Sequence, residues 1–218
     1  MNPYKSNFFE KYETRENLKN YFKNLNLKFV SLKQIHGNEV LVANILNVDE
    51  YATNPPTADA CISNLENLVL SVHTADCLPV LAYGDSWFGV CHAGWRGVTN
   101  GMLNKFIQSF FAQGISPEAL HLSVGPAICK NHFEVHLDVA AQLSQCVFGA
   151  SKYILPHSDQ TKKRVDLKSI ALLQIQTNGI KRAQVDLSQD CTYCRPEKYF
   201  SFRRDKIKGC LNESIIYK

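Results

Sequence analysis

Three short polar segments, each next to an apolar stretch, carry the residue types that could do chemistry. They are Gln34-Ile35-His36-Gly37, His73-Thr74-Ala75-Asp76-Cys77-Leu78-Pro79 and Cys91-His92-Ala93-Gly94-Trp95-Arg96-Gly97. Thiolate and imidazole are preferred ligands of zinc, and a catalytic zinc keeps three protein ligands and leaves the fourth position to water. We therefore predict a metal site, for which spacing leaves five candidate ligands open: His36, His73, His92, Cys77 and Cys91.

The strand pattern limits how these candidates combine. Successive side chains of a strand point to opposite faces, so at most one of Cys91 and His92 easily joins a shared site. A lone histidine or cysteine on a strand is more often a packed core residue than a ligand.

Anion-binding groups are also present. Gly94-Trp95-Arg96-Gly97 precedes a predicted helix, and a helix N-terminus with an arginine is a favourable place for phosphate, although a tight turn with Trp95 in the core is an equally good interpretation. Near the C-terminus, Phe200-Ser201-Phe202-Arg203-Arg204-Asp205 is predicted to place adjacent arginines at a strand end. Cys191-Thr192-Tyr193-Cys194 is a single C-x-x-C and a weak motif.

Two aspartates lie in short segments of similar sequence. Thr57-Ala58-Asp59-Ala60-Cys61 resembles Thr74-Ala75-Asp76-Cys77, and two such strands could bring Asp59 and Asp76 to one rim. Coincidence among common residues would give the same pattern.

The elements that must position these groups mix helices and strands. Periodicity predicts helices over 14–25, 98–113, 135–148 and 167–177, with Asp166 as an N-cap and Gly114 as a C-cap. It predicts strands over 27–33, 38–44, 67–73, 78–83, 86–92, 119–124, 198–204 and 214–217. Strands and helices do not alternate regularly, so we expect an α+β fold with mixed sheets flanked by helices, in a single domain spanning 1–218.

Bulk properties exclude several classes. The 218 residues are 45% hydrophobic and carry a formal charge of +4, too small and scattered to argue for nucleic acid or an anionic membrane. No signal-like N-terminus and no apolar run long enough for a membrane span occurs, which predicts a cytoplasmic protein without a membrane partner. The eight cysteines are then expected to be mostly reduced thiols.

Taken together, the segments resemble the YfiH-like family, once called laccase-domain or polyphenol oxidase proteins and now described as purine nucleoside phosphorylases or peptidoglycan editing factors. Besides those already quoted, the matching stretches include Gly125-Pro126-Ala127-Ile128, Phe133-Glu134-Val135, Asp166-Leu167 and Asp190-Cys191-Thr192. The pair Thr74-Ala75-Asp76-Cys77-Leu78-Pro79-Val80 and His92-Ala93-Gly94-Trp95-Arg96-Gly97 is highly specific.

The resemblance selects among the open candidates. It implies that His36, Cys77 and His92 hold zinc, copper being the less favoured ion, while His73 is a neighbour. It implies a pocket with Cys77, Asp76, Asp59 and Arg96 as catalytic groups, and with Arg96, Gly94, Arg203 and Arg204 binding substrate or phosphate. The implied activity is phosphorolysis of purine nucleosides, namely adenosine, inosine, guanosine and methylthioadenosine, with possible deamination of adenosine, by a monomer or small homo-oligomer.

The sequence departs from the family pattern at two places. A T-R-x-G-G-V-S-like strand expected near the N-terminus is absent, and Lys208-Gly209-Cys210 stands where relatives often have T-G-R. Both departures concern substrate recognition and leave the expected metal ligands intact.

Three other functions remain open at this stage. They are a Cys77–His92 thiol hydrolase acting on an amide of a cell-wall precursor, a copper-dependent polyphenol oxidoreductase, and a zinc-stabilised binding module without turnover.

Overall fold

The computed structural model describes residues 4–11 and 14–218. Its strands are β1 (Lys5–Phe8), β2 (Lys28–Ser31), β3 (Val40–Ala43), β4 (Ala60–Ser63), β5 (Leu68–Thr74), β6 (Leu78–Gly84), β7 (Trp87–Ala93), β8 (His121–Val124), β9 (Glu134–His136), β10 (Ile154–Leu155), β11 (Lys162–Val165), β12 (Val185–Leu187) and β13 (Asn212–Tyr217). Its α-helices are α1 (Arg15–Asn24), α2 (Val48–Thr53), α3 (Trp95–Thr99), α4 (Met102–Phe111), α5 (Leu137–Gln145), α6 (Leu167–Thr177) and α7 (Phe202–Asp205), joined by 3-10 turns at Ala150–Tyr153 and Arg182–Gln184.

The strands form two mixed sheets and one small antiparallel sheet. A six-stranded sheet has the order β12-β8-β6-β7-β4-β3, a four-stranded sheet has the order β1-β13-β5-β2, and a small sheet has the order β10-β11-β9. Parallel pairs (β3 with β4, β2 with β5, β12 with β8) occur beside antiparallel ones. The fold is therefore α+β, as the sequence predicted.

The six-stranded sheet is buried on both faces. One face packs with α4 and α6 in the largest core, which contains Phe106, Phe110 and Ile170. The other face meets the four-stranded sheet through residues such as Leu81 and Phe88. Because both faces are covered, β4, β6 and β7 are almost wholly buried, and polar side chains emerge only at their ends.

Local sequence explains where the main helices begin and end. The side chain of Thr14 caps α1 by accepting the N–H of Asn17, and Asp166 caps α6 by accepting the N–H of Ser169. Gly114 and Gly179 follow α4 and α6 with φ of 86° each, a left-handed conformation that glycine adopts without steric penalty.

Two sequence predictions need correction. The helix predicted over 98–113 is divided into α3 and α4 at Gly101, whose φ is 77°. No strand covers 198–204 in the described chain. The arginines lie on α7, whose N-cap is Ser201, because the serine hydroxyl accepts the N–H of Arg204. Strands β2 and β3 are consecutive in the chain but belong to different sheets, so the segment between them bridges two sheets.

Two further points concern the extent of the chain. The predicted single domain over 1–218 includes residues 1–3 and 12–13, which lie outside the described residues. None of the described helices combines the length and the apolarity needed to cross a membrane.

Candidate metal centre

Strand register places two of the predicted site segments side by side. Strand β7 runs antiparallel to both β4 and β6, with Ala60 opposite Cys91 and Leu78 opposite Ala93. The end of β7 therefore meets the starts of β4 and β6 at one edge of the sheet. This brings Asp59 next to His92, whose N–H donates to the Asp59 carbonyl at 2.7 Å, and brings Cys77 next to Gly94.

The loop that bridges the two sheets supplies the third group. Asp59, which is wholly buried, accepts the backbone N–H groups of Ile35, His36 and Gly37 at 3.3, 2.9 and 2.7 Å. These bonds hold His36 at a φ of 60°, a left-handed conformation that is uncommon for a residue with a side chain. The imidazole is thereby directed to the rim where β6 begins.

His36, Cys77 and His92 converge there, and their ligand atoms all lie within 4.8 Å of one another. Sγ of Cys77 is 4.0 Å from Nε2 of His36, and the two imidazole rings are nearly perpendicular, with centroids 4.7 Å apart. His92 is buried, Cys77 is half-buried and His36 is exposed, so the cluster opens to solvent on one side.

The absence of a side chain at Gly94 leaves room for Cys77 and His36 to lie close together. A Cβ at this position would lie 3.0 Å from Sγ of Cys77 and 3.0 Å from Cδ2 of His36, which is closer than ordinary van der Waals contact. A side chain at position 94 would therefore displace Cys77 or His36 unless the backbone shifted.

The donor set fits a metal ion. Two imidazoles and a thiol match the nitrogen and sulfur ligands of zinc or copper. Tetrahedral zinc with bonds of about 2.0–2.3 Å holds ligand atoms about 3.3–3.6 Å apart, which is close to the 4.0 Å between Sγ of Cys77 and Nε2 of His36. Oδ1 of Asp59 lies 2.8 Å from Nδ1 of His92, the carboxylate–histidine arrangement that orients a ligand histidine through its other nitrogen.

Electrostatics favour the ionised forms of this cluster. Burial raises the pKa of the Cys77 thiol, but hydrogen bonds with His36 and His92 outweigh it and bring the pKa to about 6. Burial lowers the pKa of His92, but hydrogen bonds to Asp59 and Cys77 outweigh that effect and raise the pKa to about 9. For Asp59, burial is likewise outweighed, by His92 and the Gly37 N–H, so its pKa is lowered.

Asp76 lies beside Cys77 with both carboxylate oxygens engaged. The Thr192 hydroxyl donates to Oδ1 at 2.6 Å, and the Arg203 backbone N–H donates to Oδ2 at 2.7 Å. Its own backbone has a φ of 93°. Asp76 thus joins the start of β6 to the Cys191–Cys194 loop and to α7, whereas Asp59 contacts His92 and the loop over 35–37.

The predicted anion-binding groups differ in what their guanidinium groups contact. Arg96 is exposed on α3 and lies 4.4 Å over its neighbour Trp95. Nη1 of Arg203 donates to the carbonyl of Glu134 at 2.9 Å. Arg204 donates to three backbone carbonyls, those of Thr192, Tyr193 and Tyr199, and to both oxygens of Asp205, which engages all five of its N–H groups inside the protein.

The two remaining candidate ligands lie outside the three-residue cluster. Cys91 is fully buried in the largest core, on the face of β7 opposite His92. The His73 ring contacts the guanidinium of Arg15, and Gln34 bonds both its N–H and its carbonyl. Burial and then the Arg15 charge lower the pKa of His73 to about 3.

The structure also shows groups that sequence reasoning missed. Cys129 joins Cys191 and Cys194 in a second cluster whose sulfur atoms lie within 4.8 Å of one another. Only the C-x-x-C signal was visible, because Cys129 lies 62 residues upstream of Cys191. The contact of Arg15 with His73 had no sequence signal at all.

This chain is similar in sequence and in fold to known proteins. A family model described as multi-copper polyphenol oxidoreductase laccase matches residues 10–218. "Purine nucleoside phosphorylase YfiH" of Escherichia coli (strain K12) is 36% identical over 198 residues, covering 89% of this chain and 76% of the relative. "Adenosine deaminase RL5" of an unknown prokaryotic organism is 28% identical over 193 residues, covering 85% of this chain and 73% of the relative. The crystal structure of the Bacillus licheniformis hypothetical protein YfiH has a TM-score of 0.85 at 24% identity, covering 95% of this chain and 82% of that one, which shows the shared fold.

Proposed function

The chain belongs to the multi-copper polyphenol oxidoreductase laccase family, and we propose that it is a zinc-dependent purine nucleoside phosphorylase that also deaminates adenosine. The single observation that carries the proposal is the open cluster of His36, Cys77 and His92, oriented by Asp59, in a chain whose relatives are named for these two activities. Adenosine, inosine, guanosine and methylthioadenosine are the proposed substrates.

Zinc suits the cluster because three ligands leave one position open, and a zinc held there supplies a Lewis acid and activates water near neutral pH. The residues of the chain supply orientation and charge. Asp59 fixes the ring of His92 and the backbone of His36 with one carboxylate, so two of the three ligands depend on the same buried group. Proton transfer to the leaving purine is assigned to Asp76, the carboxyl group adjacent to Cys77, which must release one of its two partners to do so.

Phosphate binding is assigned first to Arg96. Its exposed guanidinium follows Gly94 by two residues, and Gly94 contacts both Cys77 and His36. Helix α3 contains five residues, so its dipole contributes little and the arginine must provide most of the attraction. Arg203 is the second candidate; Arg204 and Gly94 contribute through the shape of the site, because Arg204 already bonds protein acceptors and Gly94 has no side chain.

The test is product analysis with adenosine. Zinc-loaded protein is incubated with adenosine in the presence and absence of phosphate, and the products are separated by chromatography. Adenine formed only with phosphate supports phosphorolysis, and inosine formed in both conditions supports deamination. Matched variants are Cys77→Ala, expected to lose turnover, and Cys146→Ala, expected to retain it. Full turnover by Cys77→Ala would contradict the proposal.

A second candidate is a cysteine hydrolase acting on a cell-wall precursor amide. The observation that favours it is the Cys77 pKa of about 6 beside His92, which describes a reactive thiolate–imidazolium pair. The two functions respond oppositely to metal: added zinc would inhibit a thiol nucleophile and chelation would activate it, whereas the phosphorylase requires the ion. Activity measured with and without a chelator therefore separates them.

Copper oxidation is the function that the family description suggests. Across the described residues, the clusters of three or more metal-ligating side chains are the His36, Cys77, His92 set and the three-cysteine set. Dioxygen reduction by several coppers needs further histidine-rich sites. We therefore propose zinc, and a blue, copper-loaded protein that oxidises phenols would reverse this choice.

A further inference from the structure

Cys129, Cys191 and Cys194 form a cluster that the proposed reaction does not use. Cys129 follows the Gly125–Ile128 segment, whereas the other two belong to the loop before α7. Sγ of Cys129 lies 4.0 Å from Sγ of Cys194, and the three sulfur atoms lie within 4.8 Å of one another without a disulfide. Sulfur atoms on a tetrahedral zinc, with bonds of about 2.3 Å, lie about 3.8 Å apart, so the cluster has the required size.

Backbone N–H groups donate hydrogen bonds to the sulfur of Cys191, as they commonly do to metal-bound thiolates. The N–H of Cys129 donates to Sγ of Cys191 at 3.2 Å, and the N–H of Cys194 also donates to that sulfur. Hydrogen bonds to a ligand sulfur fix its position and stabilise its negative charge. A buried thiol in an apolar core would not need two such donors.

A compensating charge lies next to the cluster. Three thiolates on a divalent ion leave one net negative charge. Lys168 of α6 interacts electrostatically with Cys191 and Cys129, and its ammonium is held in place by the carbonyls of Ser188 and Asp190 at 2.8 and 2.7 Å. The lysine thus offsets the charge that a loaded site would carry.

The spacing supports the same assignment. Cys194 follows Cys191 by three residues, which gives a C-x-x-C pair of the kind found in zinc sites, and Cys129 adds the third thiol. The His132 ring stacks on Tyr193, with centroids 3.9 Å apart, so it lies against the same loop.

We propose that Cys129, Cys191 and Cys194 bind a second zinc ion, with the fourth position taken by water. This site is separate from the His36, Cys77, His92 cluster, and the Thr192 side chain connects it to Asp76 beside that cluster. Thr192, between two of the cysteines, donates its hydroxyl to Asp76 at 2.6 Å, so an ion on the cysteines would fix the loop that holds Asp76 beside Cys77.

Metal stoichiometry in variants tests the proposal independently of enzymatic activity. Each protein is purified with zinc, freed of loosely bound ions by gel filtration and analysed for zinc per chain. Cys77→Ser removes the first site, Cys194→Ser removes an exposed ligand of the second, and Cys210→Ser is the control outside both. We expect Cys77→Ser to retain one ion, and the double variant Cys77→Ser/Cys194→Ser to retain none. A Cys77→Ser protein that binds no zinc would overturn the proposal.

A second measurement covers the case in which a variant fails to fold. Unmodified protein is alkylated with and without zinc, and each cysteine is followed by peptide mass. Zinc should protect Cys129, Cys191 and Cys194 together, with at least a tenfold slower reaction of the exposed Cys194. Equal rates at Cys194 in both conditions, or an intact mass lighter by two hydrogens that shows a disulfide among these cysteines, would contradict a zinc site.

Discussion

One carboxylate oxygen, Oδ1 of Asp59, links two predicted metal ligands: it lies 2.8 Å from Nδ1 of His92 and accepts the backbone N–H of His36 at 2.9 Å. The second oxygen accepts the N–H of Gly37 at 2.7 Å. A single buried side chain therefore sets the ring of one ligand and the backbone of another. A change in the charge of Asp59 should therefore alter the affinity of the site for zinc as well as the stability of the fold.

Replacement of Asp59 by Asn tests this relationship. The amide removes the negative charge and converts one acceptor into a donor, so either His92 or the 35–37 loop loses its partner. We expect zinc affinity to fall by about 10–100-fold, the usual effect of losing such a partner of a ligand histidine. Competition with a chromophoric chelator measures the affinity. Asp186→Asn, an exposed position on β12, is the control, and an unchanged affinity in Asp59→Asn would contradict the assigned role.

Gly94→Ala tests packing at the same site without altering charge. The added methyl group would lie 3.0 Å from Sγ of Cys77 and from Cδ2 of His36, so at least one ligand must move. We expect at least a tenfold loss of zinc affinity, measured by the same competition. Gly101→Ala is the matched control, because its φ of 77° brings backbone strain while no other atom lies within 4 Å of the new methyl group. If both variants bind zinc as the unmodified protein does, contact with Gly94 does not limit the site.

The pH dependence of Cys77 alkylation in metal-free protein follows from its lowered pKa. A thiol whose folded pKa is about 6 instead of 9 is ionised above about pH 6, and its thiolate is lost as the pH falls through that value. Iodoacetamide should therefore modify Cys77 at half its maximal rate near pH 6, and His36→Gln should move this midpoint upward because it removes a hydrogen bond to the sulfur. Peptide mass analysis at a series of pH values gives the midpoint. A midpoint near 9 in the unmodified protein would contradict the charged pair.

The helices and strands with strong periodic patterns were predictable from sequence. Helix α6 and its Asp166 cap, and strands β5 to β7, match their predicted ranges within one or two residues. Local sequence patterns did not predict secondary structure correctly where contacts between distant segments determine it. The Phe200–Asp205 segment was predicted to lie at a strand end, but the Ser201 cap and the contacts of Arg204 stabilise a short helix there.

For the site as well, local sequence indicated the candidate residues, but only the tertiary structure shows which of them meet. Residue types and strand ends indicated five candidate ligands, but which of them meet depends on the register of β4, β6 and β7 and on a loop crossing between sheets. Periodicity placed Cys91 and His92 on opposite faces, as the structure has them. The pairing of Cys129 with the C-x-x-C loop is a contact between distant segments, and no local pattern reports it.

Arg204→Ala tests whether this arginine is a structural clamp, that is, a residue that stabilises the fold by joining several backbone carbonyls and does not bind substrate. Its guanidinium bonds three backbone carbonyls and Asp205, and its side chain is 20% exposed, so truncation leaves half-buried carbonyls without a donor. Hydrogen bonds to charged groups contribute about 1.5–3 kcal/mol each and are not additive here, so we expect the free energy of unfolding to fall by at least about 2 kcal/mol. Urea unfolding measures the change. Arg195→Ala is the control, because its side chain is 53% exposed and its ion pairs are long, and such surface pairs contribute about 1 kcal/mol or less. If Arg204→Ala is as stable as the control but raises the KM for phosphate, Arg204 binds substrate and the clamp assignment is wrong.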